Sequence, residues 1–275
     1  VLYFYFLHSQ FNLFKRYFFE GTYIDMVYDE EQVYLRQGIQ MYLVDYVNRI
    51  YTTSNFYHRN YYDKNELNSS LAAFLNNLGN MMFLDLEMTM PSVNNHKSHY
   101  IAEVIQVGYL LVNGKGEEIS RYSQYVSPKR NPILSNRVLE FLNIDMQSFL
   151  QQAIPYKSFY EEFKEDIEQY RPAIVVYGKY DGIALNNSYM INKVPSLKSQ
   201  TRFINLCQLI KTYYNLRNDP GLFKIYQIYY KNNDLQIHDA LNDSFVTKMV
   251  FEAFLKDVNH ETDFYDEIHK ELGMK

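Results

Sequence analysis

Two carboxylates, Asp85 and Glu87, interrupt the apolar run Met81-Met82-Phe83-Leu84-Asp85-Leu86-Glu87-Met88. Alternate side chains of a strand project to one face, so both acids emerge on the same side. Left alone they repel each other and resist burial, and a cation between them removes both costs. A solvated strand edge is the bland reading of the pair by itself. Three later residues are candidate partners: Asp181, just beyond a short apolar run, and His238 with Asp243, at the start of the last long amphipathic segment. Singly, each also has an ordinary reading. Asp181 would cap a helix, Asp243 would be a first-turn acid, and His238 would be a loop histidine.

The elements that must position these groups can be read from periodicity. Gly79-Asn80 breaks the chain ahead of the first strand. Val104–Val112 alternates Ile105, Val107, Tyr109 and Leu111, and Asn113-Gly114-Lys115-Gly116 forms a hairpin turn into a strand over Glu118–Val126. That Gly-Lys-Gly joins two strands and lacks the spacing and following helix of a phosphate loop. Short helices are expected over Pro132–Phe149, and a longer one over Tyr156–Tyr170, ended by Pro172. Ala173–Tyr177 reads as a buried strand, with Gly178 breaking it and a helix over Gly182–Asn192 following Asp181. Arg202–Leu206 is the fifth strand candidate. Helices follow around Gln208–Leu216 and Leu222–Lys231, with Asp219-Pro220-Gly221 between them. The final helix should run from near His238 to about Leu255 with Leu241, Phe245, Met249 and Phe254 as its core face. Three strands in hairpin order, then strands alternating with helices, predict an α/β mixed sheet flanked by helices.

Residues 1–79 are expected to form a helical extension. Asp29-Glu30-Glu31 suits a helix N-terminus, and Leu35, Ile39, Tyr42, Tyr46 and Ile50 recur at helical spacing. A second helix is expected from Asp63 to about Leu78, after a polar link over Thr52–Tyr62. Six Lys/Arg against eight Asp/Glu make this region no basic nucleic-acid arm. Its expected role is packing, against the main domain or in a homodimer. The domain expectation is therefore 1–79 extension, 80–258 main domain and 259–275 tail.

Composition narrows the class. With 47% hydrophobic and 21% charged residues the 275-residue chain has the balance of a folded protein. A net charge of −5 means that any polyanion must be held by a local patch or by metals. The single cysteine, Cys207, lies in the apolar run Phe203-Ile204-Asn205-Leu206-Cys207 and reads as a buried, inert thiol. It excludes an intramolecular disulfide. No run approaches a membrane span, and Val1–Leu7 lacks the basic start and cleavage site of a signal peptide, so a cytoplasmic location is expected. His96 and His99 form an H-x-x-H pair that reads as solvated loop histidines rather than ligands.

Three motifs in order carry a resemblance over about 175 residues, from Met81 to Leu255. They are Phe83-Leu84-Asp85-Leu86-Glu87-Met88-Thr89, Val176-Tyr177-Gly178-Lys179-Tyr180-Asp181 and His238-Asp239-Ala240-Leu241-Asn242-Asp243. Glu103-Val104-Ile105-Gln106-Val107-Gly108 supports them. Together they resemble the DEDDh branch of the 3′–5′ exonucleases, on an RNase H-like fold. Leu86-Glu87-Met88-Thr89, Leu134-Ser135 and Phe141-Leu142-Asn143-Ile144 look most like the small-RNA-regulating and bacterial kinase-associated members.

The resemblance implies that Asp85, Glu87, Asp181 and Asp243 hold two divalent cations, Mg²⁺ or Mn²⁺, with Asp85 bridging. It makes His238 the general base and sets Met88 and Thr89 against the terminal base and sugar. Core packing is the ordinary reading of Met88. Lys129, Arg130 and Lys179 are candidates for upstream phosphates. The expected activity is release of nucleoside 5′-monophosphates from single-stranded nucleic acid 3′ ends, RNA favoured over DNA. A silent binding protein on the same fold and a DNA proofreading or repair exonuclease are the competing readings. Asn205 stands where many members have Asp, and Met90 where proofreading members have Gly.

Overall fold

The computed structural model describes residues 1–54, 57–91, 100–232 and 238–272, in two units, Val1–Ala73 and Phe74–Lys275. The first unit is mostly strand where a helical extension is expected. It holds β1 (Tyr3–Tyr5), α1 (His8–Phe14), β2 (Tyr23–Arg36), β3 (Ile39–Ser54) and β4 (Tyr57–Asp63). β3 pairs with all three other strands, antiparallel to β2 and β4 and parallel to β1. The helix expected across Asp29–Ile50 is thus a hairpin. Gln37 and Gly38 both take positive φ, 53° and 79°, as a two-residue hairpin turn requires. The β-branched and aromatic residues of Tyr42–Thr53 favour the pleated surface. Val44, Val47 and Ile50 bury against Phe14, with Phe4, Phe6 and Tyr62 packed around them, whereas Leu35 is 77% exposed. α2 (Lys64–Asn76) follows within the second helix expected from sequence, its start capped by Asp63 Oδ1, which accepts from Asn65 N at 3.0 Å.

The second unit is built on β5 (Met81–Met88), β6 (Val104–Val112) and β7 (Glu118–Ser127), a meander of antiparallel neighbours. α3 (Asn136–Phe141), α4 (Met146–Gln152), the two-residue β8 (Ile154–Pro155) and α5 (Tyr156–Tyr170) come next. Then follow β9 (Ala173–Val176), α6 (Tyr180–Asn192), β10 (Arg202–Asn205), α7 (Leu206–Tyr213), α8 (Leu222–Tyr230), α9 (Ala240–Val258) and α10 (Tyr265–Leu272). The sheet order is β10-β9-β5-β6-β7-β8, with β9 and β10 parallel to β5. This is the mixed sheet flanked by helices that the element order predicts.

Strand alternation divides the core. Met82, Leu84 and Leu86 of β5, with Val107, Tyr109 and Leu111 of β6, bury against Phe159 and Phe163 of α5 and Leu185 of α6. The opposite set on β5, Phe83, Asp85 and Glu87, faces α9, where Phe83 meets Phe251 edge-on at 5.5 Å between ring centroids. The core face of α9 differs from the expected one except at Phe254, which is buried. Ala240, Asp243, Ser244, Thr247, Val250, Phe251 and Phe254 are buried, while Phe245 is 47% exposed. Small and polar residues let the first turns of α9 approach the sheet closely, which hydrophobicity alone does not signal.

Residues 259–272 do not trail away as a tail. Asp257 Oδ1 accepts from Thr262 Oγ1 and Phe264 N, both at 3.1 Å, and Ile268 of α10 is fully buried. Asp257 Oδ2 also accepts from the Tyr214 hydroxyl. Cys207 is buried as expected, and burial pushes its thiol up to about 11, away from reactive thiolate.

Candidate active site

The acids arrive from three elements. β5 presents Asp85 and Glu87 on the face toward α9. Asp181 lies in the first turn of α6, after Gly178 turns the chain at a φ of 113°. That turn is held by Asn205, whose Oδ1 accepts from Gly178 N at 3.2 Å and from Gln208 N at 3.1 Å, capping α7. The amide oxygen of Asn205 thus ties two turns together without a charge. Asp181 Oδ1 in turn accepts from Leu86 N at 3.1 Å, so the main chain between the two β5 acids ties α6 to the sheet. Asp243 occupies the first turn of α9, 5% exposed, five residues after His238.

One ligand atom from each of Glu87, His238 and Asp243 lies within 4.8 Å of the others. Asp85 and Asp181 stand close enough that charge on one opposes ionisation of the other. Burial is the largest cause raising Asp85, followed by Asp181, Asp243 and Glu87; its carboxyl is held well above the usual range. Burial, then Asp243, Asp181 and Asp239, push Glu87 up to about 8. Asp181 is also raised by burial and by Asp243, against the pull of its backbone N–H bonds. Such a set is badly matched to being left as bare anions. Oxygen donors of like charge with one imidazole fit hard divalent cations, which would supply the missing positive charge.

His238 is half-buried and stacks on Phe141 of α3, with centroids 3.9 Å apart and planes at 28°. Burial lowers its pKa, favouring the neutral ring that accepts a proton. In the sequence, Phe141 stands out only as part of the Phe141-Leu142-Asn143-Ile144 stretch that resembles one branch of the family. Its contact with His238 joins segments about a hundred residues apart, which spacing cannot reveal.

Met88 ends β5 half-buried against the core. Thr89 is 5% exposed, and its Oγ1 accepts from Glu103 N at 3.0 Å while Thr89 N donates to Glu103 O at 2.9 Å. Glu103, 2% exposed, gathers a loop around its carboxylate: Lys129 N donates at 2.7 Å, Arg130 N at 2.9 Å and Asn131 N at 3.0 Å. The main chain at Lys129 and Arg130 is therefore fixed beside Thr89. A glutamate opening an apolar strand was the available signal for this clasp. Lys129 Nζ donates to Ile191 O at 3.3 Å, and Lys179 Nζ lies 5.5 Å from the Tyr180 ring centroid. His96 and His99 lie outside the described residues.

Comparison with known proteins agrees with this architecture. Residues 82–251 match the family described as exonuclease, RNase_T. Over 178 residues the chain is 25% identical to the "Probable 3′–5′ exonuclease KapD" of Bacillus subtilis (strain 168), covering 64% of this chain and 85% of that one. The nuclease domain of 3′hExo, a DEDDh family member bound to rAMP, superposes with a TM-score of 0.54 at 17% identity, over 67% of this chain and 94% of that one. A 3′-exonuclease described in 3′-end recognition of a histone mRNA stem-loop gives 0.57 at 16% identity, over 66% of this chain and 65% of that one. This chain thus spans just under two thirds of the latter's length. The match spans Asp85, Glu87, Asp181, His238 and Asp243, and the chain belongs to the exonuclease family of RNase T, in the class of 3′–5′ exonucleases.

Proposed function

We propose that this protein is a divalent-metal-dependent 3′–5′ exonuclease that shortens single-stranded nucleic acid from its 3′ end, RNA in preference to DNA. The observation that carries the reading is the convergence of Glu87, His238 and Asp243 within 4.8 Å, beside Asp85 and Asp181. Asp85, Glu87, Asp181 and Asp243 would hold two Mg²⁺ or Mn²⁺ ions. When bound, such ions supply Lewis-acid activation of water and stabilise the charge on the departing 3′ oxygen. His238, kept neutral by burial and oriented by Phe141, takes the proton from the attacking water. The water oxygen bonds to phosphorus and the bond from phosphorus to the 3′ oxygen breaks; that oxygen takes up a proton from solvent to become the 3′-hydroxyl of the shortened strand, and a nucleoside 5′-monophosphate leaves.

The site's buried acids need cations before a phosphate can approach, which suits a net charge of −5. Met88 and Thr89 are assigned to the terminal nucleotide. Thr89 is fixed through Glu103 to the Lys129–Asn131 segment, which supports a role for that segment at the upstream phosphates. RNA preference rests on the sequence resemblance to the RNA-directed branch and on the rAMP and histone mRNA descriptions of two structural relatives. A chain without net positive charge is also poorly suited to tracking a long duplex, whose binding sums many phosphate contacts.

The test is hydrolysis of 5′-labelled single-stranded RNA, single-stranded DNA and duplex DNA at one salt concentration, with Mg²⁺, with Mn²⁺ and with EDTA. The expected result is stepwise shortening from the 3′ end, fastest on single-stranded RNA and absent in EDTA. Faster loss of duplex DNA would move the protein to a repair or proofreading role. No hydrolysis with either metal would favour a silent binding protein.

A further inference from the structure

The acidic face of β5 continues onto its neighbour. In the antiparallel β5/β6 pair, Asp85 lies opposite Gly108 and Glu87 opposite Gln106. Opposite residues share a face, so Gly108 and Gln106 complete the surface on which the acids stand. The first turn of α9 rests directly on it. A Cβ at Gly108 would lie 2.1 Å from Ala240 C and Leu241 N, a distance only glycine avoids. Gln106 is 3% exposed, and its Nε2 donates to Asp239 Oδ2 at 2.7 Å. Its Oε1 accepts from Ala240 N at 3.4 Å. The other oxygen of Asp239 accepts from Asn242 N at 3.0 Å, capping α9. Both carboxylate oxygens are thereby occupied, one residue after His238 and four before Asp243.

We propose that Gln106 is a positioning residue whose amide clasps Asp239 and Ala240. The clasp fixes the backbone from which His238 and Asp243 reach the site, and it keeps Asp239 as a helix cap rather than a cation ligand. This rests on the nuclease reading above. The chemistry selects the residue type: the position needs one donor toward a carboxylate and one acceptor toward a backbone N–H, and a buried primary amide offers both. Glutamate would set two carboxylates against each other, and methionine would satisfy neither partner. Gly108 fixes how closely the clasped turn approaches the sheet.

The experiment compares the full chain with Gln106→Glu, Asp239→Asn and the double variant. Two readouts are taken: kcat and KM on a single-stranded RNA, and the His238 ring resonance of the metal-free protein by NMR. In the double variant the introduced asparagine can still cap α9 through its oxygen. Its amide can donate to the introduced glutamate, so the clasp is restored with donor and acceptor exchanged. Gln106→Glu should lower kcat about 100-fold, the scale of an ångström-level misplacement, with KM changed less than about threefold and the His238 resonance shifted. The double variant should recover at least about tenfold in kcat relative to Gln106→Glu and return the resonance toward its wild-type position. An unmoved resonance in Gln106→Glu, or no recovery in the double variant, overturns the clasp. An inactive wild type would instead refute the nuclease reading, and the resonance would still decide whether the clasp positions His238.

Discussion

Replacing Glu87 by Gln should stabilise the metal-free protein while disabling the enzyme. The folded carboxyl is pushed from an ordinary 4.5 up to about 8 by burial and by Asp243, Asp181 and Asp239. Between those values the unfolded chain has released the proton and the folded chain has kept it. The folded state therefore has its full contribution below pH 4.5 and loses it as pH rises toward 8. At pH 7 the penalty covers about 2.5 pH units, and at about 1.4 kcal/mol each that is roughly 3 kcal/mol. A neutral amide of the same shape removes it. For a chain of this size that corresponds to a melting temperature higher by about 6–12 °C. The assay is thermal unfolding in EDTA of wild type and Glu87→Gln from pH 4.5 to 8. The gap should be near zero at the acid end and widen with pH. Saturating Mg²⁺ should narrow or reverse it, because only the wild type binds the ion well. A variant that melts at or below wild type in EDTA at about pH 7 would refute the account of the site as a cluster of mutually opposed acids.

Asp85→Asn is expected to abolish hydrolysis with the fold retained, since it removes a charge that two cations would share; activity within about threefold of wild type on labelled RNA would contradict the assignment. His238→Ala should lower turnover by roughly 10²–10⁴-fold and remove the acid limb of the pH–rate profile, and an unchanged limb would mean that another group takes the proton. Phe141→Ala removes the ring stacked on His238, so the acid limb should shift to higher pH as the imidazole becomes better solvated, read directly from the same profile. A chain beginning at Lys64 keeps Leu75 and Leu78, both buried, and should retain hydrolysis of a short oligonucleotide. A start at Gly79 would strip both residues, and loss of all activity in the folded Lys64 variant would give Val1–Asp63 a role in the chemistry.

The sequence by itself determined five of the strands in the sheet of the second unit and which acids are candidates for its site. Period-two alternation in Met81–Met88 and Val104–Val112, turn residues at Asn113–Gly116, and the apolar block Ala173–Val176 are local signals, and local sterics enforce them. Asp85 and Glu87 share a face because a strand has that geometry, wherever it is placed. Only the tertiary structure decided the rest. The run Leu35–Ile50 fits a helical spacing nearly as well as a strand, and pairing with three neighbours across a Gln37-Gly38 turn resolves it to strand. The close approach of the first turn of α9 is admitted by Gly108, where any Cβ would collide with the backbone of Ala240 and Leu241, while Phe251 and Phe254 fill the wider space further along the helix. Phe141 on His238, Gln106 on Asp239 and Glu103 on the Lys129–Asn131 loop span 26 to 133 residues of chain. Such contacts depend on how elements stack, and no periodicity within a single segment encodes them.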